Sequence, residues 1–295
     1  MKILQGGVPK CGNFWLYEII QKILYQSGAN TSSYIEKHPI YPIAKTWDLN
    51  FPGQARIDVL EITDLQCNYR ISSIFKMPIL DLRAYIEQTN HVWTHSPICK
   101  RSREVFNLFD KKVYIIRDPR DRALSAAKYY CSDYMLKYFP QEEKDPEVFL
   151  KKNFDQLMHE WVWHVWDHLR LSHSLGIHII FYENLISNFQ LELQGLTDYL
   201  ELDLEKYFKE ELEKEVSFSN MKKQNPKHLK TGTSGYWKSS LNNEQIEKAE
   251  VIAGPLLQFL HYRSGSSPAT FDTASSPTVY ENLKQELILS QEQLY

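Results

Sequence analysis

Four groups of residues have the types and spacing from which a reactive site is built. Lys10 lies inside a glycine-bounded turn, Gly7-Val8-Pro9-Lys10-Cys11-Gly12, followed by Asn13, Phe14 and Trp15. Glycines let a backbone approach a ligand, and a helix starting there turns free N–H groups and the positive end of its dipole toward an anion. His95 sits in Trp93-Thr94-His95-Ser96-Pro97. Arg117 and Ser125 are eight residues apart, at a strand end and in the helix after it, and arginine offers a planar fork to phosphate. Lys222, Lys223, Lys227, Lys230 and Lys238 crowd a late loop with Gly232 and Gly235. Each group also has a plainer reading. The turn can be an ordinary strand–turn–helix, His95 can be a histidine satisfied at a strand end, Arg117 can join a capping cluster with Asp118, Arg120 and Asp121, and the late loop can be merely solvated.

The elements that position these residues follow from periodicity. Lys2 to Gln5 reads as a strand. Trp15, Leu16, Ile19, Ile20, Ile23 and Leu24 recur at helical spacing. Residues 28–53 read as a loop broken by Gly28, Pro39, Pro42 and Pro52, with enough aromatic content to pack or line a pocket. Residues 54–89 suggest a helix or two. Strands are expected at His91–His95, Lys112–Ile116 and Ile177–Tyr182. Helices are expected near 99–109, from Pro119, over 146–175, 187–200, 203–215 and 243–262, and at the C-terminus. Apolar strands alternating with helices imply a parallel sheet covered on both faces, with ligands outside the strands' carboxyl ends. That rule gathers Pro9–Trp15, Thr94–Pro97 and Arg117–Ser125 at one edge.

Bulk properties narrow the class. The 295 residues, 43% hydrophobic and 13% aromatic, suffice for one large α/β domain. A net charge of −3 argues against nonspecific nucleic-acid binding. No apolar run approaches the roughly 20 residues that span a bilayer, and the N-terminus shows no signal-peptide pattern. Cys11, Cys67, Cys99 and Cys131 lack metal-ligand spacing, so a reduced cytoplasmic protein is expected. His159, His164 and His168 fall at helical spacing without a matching carboxylate, which favours a helix face over a metal site. The turn has the Gly-x4-Gly spacing of a nucleotide-binding P-loop. Asn13 and Phe14 stand where Lys and Ser/Thr would follow, so the usual Mg²⁺ ligand is missing.

In six places, in order, the chain resembles the cytosolic-type sulfotransferases, which use 3′-phosphoadenosine 5′-phosphosulfate (PAPS). The places are Pro9-Lys10-Cys11-Gly12-Asn13-Phe14-Trp15, Trp93-Thr94-His95-Ser96-Pro97, Arg117 with Ser125, Tyr182-Glu183, Ser217-Phe218-Ser219-Asn220-Met221, and Lys230-Thr231-Gly232-Thr233-Ser234-Gly235-Tyr236-Trp237-Lys238. The resemblance covers about residues 2–262. It implies a single α/β domain over 1–263, with a central parallel sheet flanked by helices and a P-loop-like sulfotransferase fold. A linker over 264–278, rich in Ser, Thr, Ala and Pro, and a helical extension over 279–295 would follow.

The resemblance also implies roles. Lys10 and His95 would be catalytic, His95 as general base and Lys10 on the leaving phosphate. Pro9, Cys11, Gly12, Asn13, Phe14 and Trp15 would cradle the 5′-phosphate. Arg117, Ser125, Lys230, Thr231 and Gly232 would hold the 3′-phosphate. Trp15, Tyr182 and Phe218 would pack on adenine, with core packing the rival for the last two. The donor would be PAPS, the product adenosine 3′,5′-bisphosphate (PAP), and no metal would be required. The partner would be a small-molecule acceptor, with neither nucleic acid nor membrane. A polar secondary metabolite of the guanidinium-alkaloid kind is one acceptor, greeted by acids such as Glu36, Asp48, Asp58 and Glu61 or else leaving them as solvated surface. The alternatives are a P-loop small-molecule kinase and a noncatalytic nucleotide-binding protein.

Several positions depart from the family pattern. Cys11 replaces a serine, and is either a thiolate beside Lys10 or a passive small residue. Trp93 replaces a lysine near the sulfonate, Lys230 an arginine, and Val216 a threonine. Only Lys238 and Glu247 survive of the dimer motif, with Asn242 and Asn243 between, so the motif is degraded and the oligomeric state is left open.

Overall fold

The computed structural model describes residues 1–29, 31–51, 53–224, 234–262 and 276–294. Its centre is a seven-stranded sheet built from β1 (Ile3–Gly6), β2 (Asp58–Ile62), β3 (Cys67–Ile71), β4 (Phe75–Pro78), β5 (His91–Thr94), β6 (Lys111–Ile116) and β7 (Ile177–Phe181). The order across the sheet is β4-β3-β2-β5-β1-β6-β7. Strands β2, β5, β1, β6 and β7 run parallel, while β3 and β4 add an antiparallel hairpin at one edge. The apolar strand pattern thus yields the expected parallel sheet, with β1 in the middle and buried along its whole length.

Register fixes the site. Gly6 pairs with Thr94 on one side and Tyr114 on the other. The segments after β1 and β5 therefore leave the sheet at one level, and Arg117 emerges beside them at the end of β6.

Helix α1 (Asn13–Gln26) presses Leu16, Ile19, Ile20 and Ile23 into the core with no exposure. Helix α2 (Pro119–Tyr130) starts on Asp118, whose carboxylate accepts the Arg120 N–H at 2.9 Å, with Pro119 in the first turn. Helix α3 (Pro146–Leu175) is capped by Asp145 and ended by Gly176 at φ 63°. Both boundaries coincide with those read from the sequence, because Pro146 and Gly176 punctuate them.

Residues 54–89 differ from expectation. In place of a helix or two they form β2, β3 and β4, with a short 3₁₀ turn (Gln54–Arg56) and one short helix (Leu82–Glu87). Polar residues at buried positions disguised the alternation. Asp58 begins β2 almost wholly buried, accepting hydrogen bonds from the Tyr34 and Ile35 N–H groups and from the Ser33 and Thr89 hydroxyls. It is therefore neither solvated surface nor a group that greets a ligand.

Helix α4 (Asn243–Phe259) begins with a capping box between Asn242 and Gln245, which gives the departing Asn242 a structural role. Helix α5 (Pro277–Gln291) packs on α4 and α3 through buried Tyr280, Leu283 and Leu287. Pro255 inside α4 has no N–H for the Val251 carbonyl. The Ser290 hydroxyl of α5 donates to that carbonyl at 2.6 Å, and the Gln291 amide donates to the next one, Ile252, at 2.9 Å. The C-terminal helix thus completes α4. The expected linker over 264–278 lies mostly outside the described residues.

Candidate active site

One cavity of about 690 Å³ opens at the carboxyl ends of β1, β5 and β6. Pro9, Lys10, Gly12, Asn13, Phe14, Trp15, His95, Arg117, Ser125 and Tyr182 all line it, so the three separated segments meet as the sheet rule required. Cys11 does not line it. Phe218 begins a short helix (Phe218–Gln224), but its side chain, like Lys230, Thr231 and Gly232, lies outside the described residues.

The turn is held from below and from the side. Gly12 takes φ 98°, and a Cβ there would stand 2.5 Å from Cδ2 of Tyr182, so only glycine fits. Beneath the turn runs a buried relay. The Asn13 carbonyl can only accept, so the Gln5 amide donates to it at 2.7 Å. Gln5 Oε1 then accepts from His91 Nε2 at 3.1 Å, and the bare His91 Nδ1 accepts from Gln21 at 2.9 Å. Burial lowers the His91 pKa to about 3, so this ring is neutral. From the side, fully buried Arg122 donates to the Pro9 carbonyl at 3.0 Å and the Leu157 carbonyl at 2.8 Å, and pairs with Glu160 at 2.6 Å. Neither Arg122 nor the relay was identified from the sequence. Arg122 sits in a charged run that resembles a solvated helix start, and only the packing of α2 on α3 shows where it points.

Lys10 is a non-glycine residue at φ 75°. Its ammonium lies 4.2 Å from the centre of the Tyr129 ring. Burial, with Arg117 nearby, lowers its pKa to about 8. Cys11 is fully buried, and burial pushes its thiol up to about 12. Burial favours the passive reading of the two.

His95 Nδ1 donates to the Gly7 carbonyl at 2.6 Å, which fixes the tautomer and leaves Nε2 with a lone pair. Its own carbonyl accepts from His164 Nε2 at 3.2 Å, and His164 Nδ1 accepts the Tyr114 hydroxyl proton at 2.7 Å. His164 and His168 stack on Tyr114 inside the protein, as a helix face does. Burial lowers the His95 pKa to about 4, well below the unperturbed value near 6.5. Ser96 is no nucleophile, since its hydroxyl oxygen accepts the Ile62 N–H at 2.7 Å.

Of the charged cluster after β6, only Asp118 and Arg120 pair with each other, at 2.8 Å. Arg117 turns into the cavity over the Tyr182 ring, 4.3 Å from its centre, and donates to the Lys10 carbonyl at 3.3 Å. Asp121 accepts the Gly235 and Trp237 N–H groups at 2.6 and 2.8 Å, tying the described end of the late loop to α2. Tyr182 meets Trp15 edge-on at 5.6 Å, and the Trp15 indole donates to the Val216 carbonyl at 2.8 Å. Glu183 is buried, accepts the Asp118 N–H and the Tyr262 hydroxyl, and burial raises its pKa to about 7.

The far end of the cavity is lined by Phe14, Phe51, Ile57, Trp93 and Met135, with Glu61 from β2 and Arg70, Ser72 and Ser73 from the hairpin. Of the acids suggested for a cationic acceptor, Glu61 alone lines the cavity. It is already paired with Arg70 at 3.1 Å and Lys76 at 2.6 Å.

The glycine-bounded turn, Lys10 and a neutral His95 with a bare nitrogen thus share one cavity at the sheet edge. The sulfotransferase domain profile matches residues 2–260. The bovine (Bos taurus) sulfotransferase 1A1 is 24% identical over 285 residues, spanning 87% of this chain and 85% of that protein. The mouse (Mus musculus) sulfotransferase 2A6 is 27% identical over 174 residues, 54% of this chain and 60% of that one. Among solved structures, mouse sulfotransferase SULT7A1 complexed with PAP shares the fold at a TM-score of 0.54 and 16% identity, over 97% of this chain and 89% of that one. A retinol dehydratase in complex with retinol and PAP does so at 0.56 and 15%, over 92% and 83%. The chain belongs to the sulfotransferase domain family and is a PAPS-dependent enzyme.

Proposed function

We propose that the protein transfers the sulfuryl group of PAPS to a hydroxyl or amine of a small-molecule acceptor, with His95 as general base and Lys10 on the leaving phosphate. The observation that carries this reading is the His95 ring. Its Nδ1 proton is committed to the Gly7 carbonyl of the cradle turn itself, so its bare Nε2 belongs to the cavity where donor and acceptor meet.

Nε2 accepts the acceptor's proton as the new O–S or N–S bond forms. The bond from sulfur to the 5′-phosphate oxygen breaks, and its electron pair leaves with PAP. Lys10 and the N–H groups from Gly12 to Trp15 meet the negative charge that grows there. Arg117 and Ser125 take the 3′-phosphate, and Tyr182 and Trp15 flank the adenine. A histidine of pKa about 4 stays neutral through the physiological range and is a weak base, suited to a step in which departure of the phosphate runs ahead of proton transfer.

The retinol-bound neighbour holds its ligand together with PAP. By analogy the acceptor sits among Phe14, Phe51, Ile57 and Trp93. A polar metabolite fits the mixed lining, whereas a guanidinium alkaloid would have to displace Arg70 or Lys76 from Glu61.

The test is mass spectrometry for the gain of one sulfo group across an acceptor panel, with PAPS and excess EDTA. Turnover is expected without metal, which separates this reading from a kinase. His95→Ala should abolish turnover and keep PAP affinity by calorimetry. A variant that turns over normally removes His95 from the role, and a wild-type protein that binds PAP yet sulfates nothing favours a noncatalytic binder.

A further inference from the structure

Lys10 is the cation at the junction of the donor cradle and the acceptor chamber, yet among the described residues it forms no ion pair with a carboxylate. Its φ is positive, and its ammonium rests 4.2 Å from the centre of the Tyr129 ring. Tyr129 stands in the last turn of α2 and lines the same cavity. Its hydroxyl faces Ser73 in the β3–β4 turn. The preceding residue, Ser72, is held at φ 52° with its hydroxyl on Tyr134, and it too lines the cavity. The hydroxyl end of the ring thus lies toward the hairpin, and its face is presented to the lysine.

We propose that Tyr129 is a positioning residue for Lys10, its aromatic face holding the ammonium charged and aimed at the reacting phosphosulfate. The proposal rests on the reading of Lys10 as catalytic. The physical basis is the negative face of the ring, which attracts a cation most where water is excluded. A phenylalanine would serve as well as a tyrosine for this contact. An aliphatic residue of similar size would fill the space and give no such field.

Other ionisable groups around Lys10 are Cys11 on its own turn, His95 after β5, Arg117 after β6, Tyr182 beyond β7, Asp121 and Lys128 on α2, and Glu61 and Arg70 across the cavity. His95 at about 4 and Cys11 at about 12 titrate outside the window from 7 to 9, and burial raises both Tyr129 and Tyr182. Glu183, raised to about 7 by burial, titrates at the acid edge of that window, so a loss of kcat/KM near pH 8 that moves with the residue at 129 reports Lys10, charged below that pH and neutral above it.

The experiment compares wild type, Tyr129→Phe, Tyr129→Leu and Lys10→Met for kcat/KM of the donor across pH 6–10, since that ratio reports the free enzyme, with PAP affinity by calorimetry as the check on folding. Tyr129→Phe should stay within about twofold of wild type and keep the alkaline limb. Tyr129→Leu should lower kcat/KM roughly 5- to 30-fold and move the alkaline limb down by about one pH unit. Lys10→Met should lose turnover. An unshifted limb in Tyr129→Leu, or an equal loss in Tyr129→Phe, overturns the positioning role while Lys10 keeps its own. An active Lys10→Met overturns the catalytic reading of Lys10 and this proposal with it.

Discussion

Gly12→Ala should damage the cradle through two separable effects. A methyl group at φ 98° costs about 1–2 kcal/mol in backbone strain. It also stands 2.5 Å from Cδ2 of Tyr182, a ring held by Arg117 on its face and Trp15 at its edge. Forcing that contact apart costs about 1–3 kcal/mol more, as overpacking does. Together the loss is about 2–5 kcal/mol, which in a protein of this size lowers the melting temperature by roughly 3–8 °C. A double-mutant cycle with Tyr182→Ala isolates the second effect, with urea unfolding as the assay. In the Tyr182→Ala background, Gly12→Ala should cost only the backbone part, about 1–2 kcal/mol. An identical cost in both backgrounds would refute the close approach of turn and ring. No cost in either would refute the left-handed conformation as well.

Two further perturbations test the scaffold beneath the site. Ser290→Ala strips the Val251 carbonyl of its donor and should cost about 1–3 kcal/mol, read as a lower melting temperature with PAP affinity unchanged. Pro255→Ala restores an N–H in the helix and should shrink that penalty, and a penalty that stays the same would show that Ser290 does not compensate for the proline. Gln5→Leu leaves the His91 Nε2–H without an acceptor under the cradle, so it should both destabilise the fold by about 1–3 kcal/mol and weaken PAP binding several-fold. Full retention of PAP affinity would show that the relay supports the sheet and not the turn.

What was legible from sequence was what local spacing encodes. Glycines 7 and 12, the apolar strands and the punctuated helix over 146–175 each carry their signal within a few residues. The gathering of Lys10, His95 and Arg117 followed from the parallel topology alone, because the strand that ends before each of them had already been recognised. Illegible were the polar residues that the interior employs. Asp58 breaks the apolar alternation of β2 because it serves as a buried acceptor for four donors. Arg122, Gln5 and His91 look like surface or strand-edge residues until α1, α2 and α3 are packed. The His95 pKa was missed for the same reason, since desolvation is a property of the assembled cavity.

The departure at Trp93 is best understood from its neighbours. Its ring meets His95 edge-on at 5.2 Å and stacks with Tyr17 at 6.0 Å, so the position that carries a cation in the resembled family here carries a wall against the base. Two consequences follow under the proposed mechanism. The His95 ring is confined by a side chain on one side and by the Gly7 carbonyl on the other, so its bare nitrogen has a fixed direction. The transferring group also loses one positive neighbour, which places more of the charge stabilisation on Lys10 and the turn's N–H groups. A site with fewer cations gains more from keeping the remaining one charged, and the Tyr129 face against Lys10 is the feature of this cavity suited to that purpose.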